Sequence, residues 1–151
     1  MLPLNLLFGV WEFGFLSVMF LAVIIIEAGY LSRRLFGKRL DIYTMAVVTI
    51  SNILSTAIGV SSSRFWEWVG NTLIEKLDCP GYCDFLPFMI VAFLLTVLIE
   101  TPVNILLLIW PWPSPNPKNI ARHTFMANIW SYAFLLIVSV AIVIYGKIKY
   151  P

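Results

Sequence analysis

The sequence predicts an all-α integral membrane protein with four transmembrane helices as two tandem helical hairpins, plus a short amphipathic interfacial helix between spans 2 and 3. Composition is the first observation behind this prediction. Hydrophobic residues make up 60% of the chain and charged residues 12%, whereas a water-soluble domain of this size needs more polar surface. Because 10 basic residues nearly balance 8 acidic ones, the composition implies no nucleic-acid partner.

The second observation is the length of the apolar segments. A helix needs about 20 mainly apolar residues to cross the hydrocarbon core. Four segments qualify, at about residues 13–31, 42–60, 87–109 and 124–145. In hydrocarbon every backbone polar group must be bonded internally, so these segments are helices rather than open strands. We treat residues 1–151 as a single membrane domain and, since no basic residue precedes the first apolar run, expect no cleaved signal peptide.

The segment at about residues 62–77, between the second and third spans, has the pattern of an amphipathic helix. Serines that can cap a helix open it, aromatic and aliphatic residues recur at helical spacing, and charged residues occupy the other side. Its tryptophans suit the headgroup level of a membrane. The alternative is a helix packed on the soluble domain of a partner.

The distribution of basic residues predicts the orientation. The third loop contains Lys118 and Arg122, and the second loop balances its basic residues with more acidic ones. Because Lys and Arg in short loops favour the cytoplasmic side, we expect both termini outside the cytoplasm. The first loop would be anchored at the cytoplasmic surface by Arg33, Arg34, Lys38 and Arg39.

The third observation is an internal repeat. "FLAVIIIEAGYL" in the first span matches "FLLTVLIETPVN" in the third, and "ISNILSTA" in the second matches "MANIWSYA" in the fourth. Each hairpin therefore contributes one glutamate and one Asn-x-x-Ser motif, related by a pseudo-two-fold axis along the membrane normal. Such groups form hydrogen bonds between helices, so we predict an intramembrane polar network of Glu27, Asn52, Ser55, Glu100, Asn128 and Ser131.

Depth in the membrane limits which of these residues can meet. At 1.5 Å per residue, Glu27 lies about 9 Å below the arginines of the first loop, and Asn52 lies about 20 Å from Arg39. We therefore expect Glu27 to face Thr44 or the other hairpin rather than Asn52.

The two acids allow a functional and a structural interpretation. A charged, unpaired acid inside a membrane costs at least about 3 kcal/mol. In the functional interpretation, Glu27 and Glu100 form a proton or ion path or a cation site, and this role explains why the cost is tolerated. In the structural interpretation they hold helices together: Glu100 could meet Asn128, and Glu27 could form a snorkelling pair with Arg33 or Arg34.

The "CPGYC" loop predicts a disulfide. Pro80 and Gly81 suit the centre of a type II turn that brings Cys79 and Cys83 together outside the cytoplasm. The alternative is a thiol pair of an extracytoplasmic oxidoreductase. His123 is the one histidine of the chain and is expected at the start of the fourth helix, on the side opposite the cysteines. We predict no catalytic residues, cofactor or metal site.

"IEAGYLSRR" and "SNILSTAIG" carry a resemblance to a known family. Over roughly residues 4–60 the chain resembles the small membrane proteins of cyanobacterial filament integrity, which are associated with septal junctions between cells. The shared features are a first span ending in Ile-Glu-Ala, a basic hairpin with paired arginines, and a second span with Asn and Ser. The "CPGYC" loop and the proline-rich third loop have no counterpart in it. The resemblance implies a non-enzymatic junction or assembly component of a bacterial inner or thylakoid membrane.

The leading hypothesis for function is a non-enzymatic structural or assembly subunit of a larger membrane complex. Its partners would be lipid and other integral membrane proteins, and a homo-oligomer is compatible with the same features. The alternative is a small proton- or cation-coupled transporter or channel component that uses Glu27 and Glu100.

Overall fold

The computed structural model describes residues 4–69, 85–110 and 115–149 of the chain. These ranges contain no strand, so the all-α prediction is confirmed. Four of the helices are long and apolar enough to cross a membrane, as expected of a multi-pass membrane protein. The helices are α1 (Leu4–Phe36), α2 (Ile42–Ser61), α3 (Ser63–Val69), α4 (Phe85–Ile109) and α5 (Pro117–Lys149).

The long helices form two hairpins that pack side by side. Helix α1 lies against α2 and α5, and α4 also lies against α2 and α5. The order around the bundle is therefore α1, α2, α4, α5. Tyr43, at the start of α2, donates a 2.6 Å hydrogen bond to the carbonyl oxygen of Leu107, near the end of α4. Both hairpin turns thus lie at the same end of the bundle, which we call the loop end; the opposite end is the far end.

The first turn is closed by a glycine and an aspartate. Gly37 has a φ of +67°, in the left-handed region that glycine adopts without a steric cost from Cβ. Asp41 then caps α2, accepting hydrogen bonds from the backbone N and the hydroxyl of Thr44, both at 3.1 Å. The backbone N of Asp41 donates to Oγ of Ser32 at 3.0 Å, and its carboxylate pairs with Lys38 at 2.9 Å. This turn fixes where α1 ends and α2 begins.

Two helices extend beyond the spans expected from the sequence. Helix α1 continues through the paired arginines to Phe36, instead of ending at about residue 31. Helix α5 begins at Pro117, well before residue 124. The reason for the second difference is local: Asn116 caps the helix by accepting from the backbone N of Lys118 at 2.9 Å. Proline is favoured at the first helical position, where its missing N–H has no helical partner to lose.

The short helix α3 covers the first part of the predicted interfacial helix. It follows α2 after Ser62, and the indole N–H of Trp66 donates to the carbonyl oxygen of Gly59 at 2.8 Å. This bond holds α3 against the far end of α2. Residues 70–77 of the predicted helix lie outside the described residues, and its place at a membrane interface stays a prediction.

The bundle is apolar on its outer surface and mixed inside. Large aliphatic side chains such as Leu98 and Ile137 are about 70% exposed, as expected for helices surrounded by hydrocarbon. Two small apolar clusters lie inside towards the loop end, one around Leu31 and Val48 and the other around Leu108 and Ile120. The polar residues of the repeat occupy the interior next to these clusters.

Candidate functional site: a polar network inside the bundle

Polar side chains occupy the middle of the bundle interior. Glu27 is 2% exposed and Glu100 is fully buried. The structure brings these acids together with the other residues that the repeat singled out. We call this set the Glu–Asn–Ser network: Glu27, Asn52, Ser55, Glu100, Asn128 and Ser131.

The carboxyl group of Glu27 joins the two hairpins. Its Oε2 accepts a 2.7 Å hydrogen bond from the amide of Asn52, which lies on α2 of the same hairpin. Its Oε1 lies 2.6 Å from the hydroxyl of Ser131, which lies on α5 of the other hairpin. One carboxyl group therefore contacts two neighbouring helices.

Glu100 repeats the same arrangement in the second hairpin. The amide of Asn128 donates to Oε2 at 3.0 Å, and the hydroxyl of Ser55 lies 3.0 Å from Oε1. In both halves the asparagine comes from the hairpin of the glutamate and the serine comes from the other hairpin. This exchange is the contact pattern of a pseudo-two-fold axis, and it links all four long helices.

The backbone orients the asparagines and serines. The amides of Asn52 and Asn128 each also donate to the carbonyl oxygen one helical turn earlier, both at 3.1 Å. The hydroxyl of Ser55 lies 3.1 Å from the carbonyl oxygen of Asn52, and that of Ser131 lies 3.0 Å from the carbonyl oxygen of Asn128. Each side chain that contacts a glutamate is therefore also held by its own helix.

These distances accommodate a protonated carboxyl at each glutamate. A serine hydroxyl has one proton, and a carbonyl oxygen can only accept. When Ser131 donates to the carbonyl of Asn128, the proton between its Oγ and Oε1 of Glu27 must come from the carboxyl group. The same holds for Ser55 and Glu100. The neutral form also avoids placing two like charges in one buried interior.

The expectation that Glu27 faces Thr44 rather than Asn52 is wrong. The basic residues do not mark the helix ends, because α1 continues past Arg33 and Arg34 to Phe36, and α2 begins at Ile42. Counted from these helix ends, Glu27 and Asn52 lie at almost equal depths, about 14 and 15 Å. Thr44 instead donates to the aspartate that caps α2. The expected contact with the other hairpin is present, through a serine.

The basic residues of the first loop lie apart from the network. Arg33 and Arg34 are in the last turn of α1 and exposed, Arg39 is exposed, and Lys38 pairs with Asp41. Among the described residues no ion pair involves a glutamate of the network, so the snorkelling pair is not formed there. The anchoring of this cluster at the cytoplasmic surface stays a prediction.

Sequence reasoning missed two polar pairs beside the network. The amide of Asn104 donates to the hydroxyl of Thr124 at 3.3 Å, towards the loop end. The hydroxyls of Thr96 and Tyr132 lie 2.9 Å apart, towards the far end. Each of these residues is about one helical turn from a network residue on its own helix, which is the signal that could have found them. Oδ1 of Asn104 and of Asn128 are buried acceptors to which no described residue donates.

A crevice of about 530 Å³ opens between α2 and α4. Gly59 and Trp66 line it near the far end, and Ser55, Thr96 and Tyr132 line it deeper in the bundle. Since Ser55 contacts the carboxyl of its neighbouring glutamate, the crevice extends from the far end to the edge of the network.

Cys79 and Cys83 lie outside the described residues, so their disulfide stays a prediction. His123 lies on α5 with its ring centroid 5.9 Å from that of Tyr30. Within the described ranges no group of three His, Cys, Asp or Glu side chains is placed to hold a metal ion.

Comparison with known proteins gives no match: no family model, no curated protein and no solved structure is similar to the chain. The resemblance to filament-integrity proteins stays a prediction from the sequence.

Proposed function

We propose that this protein is a non-enzymatic structural or assembly subunit of a larger membrane complex. One observation carries the proposal: all four carboxyl oxygens of Glu27 and Glu100 are hydrogen-bonded to side chains of the same chain. An acid that binds and releases ions needs to exchange its partners, whereas these two acids, on α1 and α4, are bonded to side chains of α2 and α5. Such bonds stabilise and orient a helix bundle, each contributing about 0.6 kcal/mol on average.

The outer surface is suited to helical partners. Bundles in lipid associate through close packing of side chains, because lipid tails are as apolar as the helices. Ile42 and Leu98 are among the large side chains exposed on this surface, at 80% and 72%. A rigid interior would present these side chains in a fixed arrangement. The proposed partners are therefore other integral membrane proteins, with a second copy of the chain as a further option.

The resemblance of residues 4–60 extends this proposal to one kind of complex. A junction between neighbouring cells needs membrane components that hold other chains in place without doing chemistry. We propose such a role as the most specific form of the assembly function.

The experiment is purification from native membranes in mild detergent, with Glu27→Gln and Glu100→Gln beside the wild type. Gln keeps the size and hydrogen bonding of a protonated Glu but cannot ionise. We expect one partner chain in fixed ratio with the wild type and with both variants. A wild type that purifies folded but without any partner chain in fixed ratio would overturn the proposal.

The second candidate is a small proton- or cation-coupled transporter component. The crevice that ends at Ser55 favours it, because a path from the far end reaches the hydroxyl bonded to Glu100. Carboxylate and amide oxygens, including Oδ1 of Asn128, to which no described residue donates, are also suitable ligands for small hard cations.

Flux measurements in liposomes separate the two candidates. A transporter would move protons or cations in a pH-dependent manner, and both Gln variants would abolish this flux while folding normally. Thr56→Leu would narrow the crevice, since Thr56 also lines it. We expect no flux from the wild type, and hence no effect of any of these variants.

A further inference from the structure

A second cavity lies away from the network, on the outer surface between α1 and α5. It is a groove of about 510 Å³ with mainly apolar walls, formed on the α5 side by Trp130, Phe134 and Ile137. Gly29 of α1 also lines it. The absence of a side chain at this glycine helps to form the space between the two helices.

Positive charge lies at the loop end of the groove. Arg33 and Arg34 line the groove there, and the guanidinium carbon of Arg34 is 5.7 Å from the ring centroid of Tyr30. Arg122 of α5 adds a further positive charge near the same position, next to His123, whose ring centroid is 5.9 Å from that of Tyr30. In the part of the chain that the structure describes, neither Arg33 nor Arg34 pairs with a carboxylate. The groove thus has apolar walls along most of its length and basic residues at its loop end.

The length of the groove and the position of its basic residues indicate which kind of ligand it can hold. From the level of the Glu27–Ser131 bond, Arg33 lies about 9 Å towards the loop end and Ile137 about 9 Å towards the far end. The groove is therefore about 18 Å long, with basic residues at one end and apolar residues along the rest, which is the order of charged headgroup and acyl chain in a phospholipid.

We propose that this groove binds one anionic phospholipid. An acyl chain lies along the apolar wall of α5, and the phosphate is held by Arg33 and Arg34. Arginine presents a planar set of donors that matches phosphate oxygens. Basic pockets between transmembrane helices bind anionic headgroups in this way. The groove lies at the depth of the hydrocarbon core, and its basic end lies where headgroups begin.

Gly29 provides a test that leaves the charges unchanged. A Cβ built at Gly29 meets no atom within 4 Å, so the position accepts a side chain, and because Gly29 lines the groove, Gly29→Leu adds its bulk there. Gly14, on the same helix but outside the groove, is equally open, and Gly14→Leu is the matched control. For the charges, Arg33→Gln with Arg34→Gln removes the headgroup contacts, and Lys118→Gln is the control for loss of an exposed cation at the loop end.

The experiment places each purified protein in bilayers of equal phosphatidylglycerol and phosphatidylcholine, and counts the lipids retained on release by native mass spectrometry. We expect wild type to retain one phosphatidylglycerol with about 30-fold preference, the value for two basic residues at an anionic headgroup. Gly29→Leu should lose the bound lipid. The double arginine variant should lose the preference, and both controls should behave as the wild type.

Several outcomes would overturn the proposal: equal retention of the two lipids by wild type, a Gly29→Leu variant that retains lipid normally, or displacement of the lipid by inorganic phosphate alone. Retention of a protein chain in place of lipid, in protein released from native membranes, would do the same. Size-exclusion chromatography checks folding. If Gly29→Leu does not fold, the double arginine variant decides.

Discussion

The two hairpins share one layer of residues and differ in the next. In the shared layer, each contributes a glutamate, an asparagine and a serine with the same bonding pattern. One turn closer to the loop end, the first hairpin packs Leu31 against Val48, whereas the second has Asn104 bonded to Thr124. A polar pair and an apolar pair of similar size are thus alternatives at equivalent positions. The central layer differs from this one in that its serines also join the hairpins to each other.

The largest effect is expected when an acid of the shared layer is removed. Glu27→Leu and Glu100→Leu leave an asparagine donor and a serine without their partner, at about 1–3 kcal/mol of unfolding free energy each. Reversible unfolding in bicelles measures this. Pseudo-two-fold symmetry predicts losses of similar size, and we expect the larger at Glu100, the fully buried acid. Gln at either position should be nearly neutral, and a loss with Gln as large as with Leu would contradict the bonding pattern.

A smaller effect is expected at the helix starts of the two hairpins. Asp41→Ala and Asn116→Ala each remove an N-cap, at about 1 kcal/mol of unfolding free energy. The two caps differ in their response to pH. The hydrogen bond from Lys38 lowers the pKa of the Asp41 carboxyl in the folded protein. Its stabilisation is therefore complete above the unfolded pKa, about 3.9, and is lost as pH falls towards the lower folded value.

Unfolding measured across this acidic range compares the two caps. Asp41→Asn should retain the cap and remove the part of the pH dependence that Asp41 provides. Asn116→Ala should shift stability equally at every pH. If Asp41→Asn left the loss of stability at acidic pH unchanged, the pairing of Asp41 with Lys38 would contribute nothing to stability.

The smallest effect is expected at the pair of Asn104 and Thr124, one turn closer to the loop end than the shared layer. Asn104→Leu alone should cost about 0.6 kcal/mol by leaving the Thr124 hydroxyl without its donor. Adding Thr124→Val gives the second hairpin the apolar pair of the first, and replacing both partners should restore stability. A double-mutant cycle of these variants measures the coupling. A double variant less stable than Asn104→Leu would show that the polar pair and the apolar pair are not interchangeable at these positions.

The sequence predicted the four long helices and the six network residues because hydropathy and the repeat are properties of the linear sequence. It did not predict that Glu27 meets Asn52, because that contact depends on helix ends set by Gly37, Asp41 and Phe36. Asn104 and Thr124 were missed because their counterparts in the first hairpin are apolar, so the repeat gave no signal. The groove and the crevice depend on how helices pack, which no single segment determines.

The exchange of serines between hairpins has a consequence for biosynthesis. Ser131 follows Glu27 by 104 residues, so α1 leaves the ribosome long before the partner of its glutamate exists. At about 5–20 residues per second, that interval lasts roughly 5–20 seconds. Of the two side chains that Glu27 contacts in the finished bundle, Asn52 is synthesised 25 residues after it and Ser131 only at the end of this interval. The first hairpin therefore enters the bilayer incomplete, and arrival of the last helix completes both halves together.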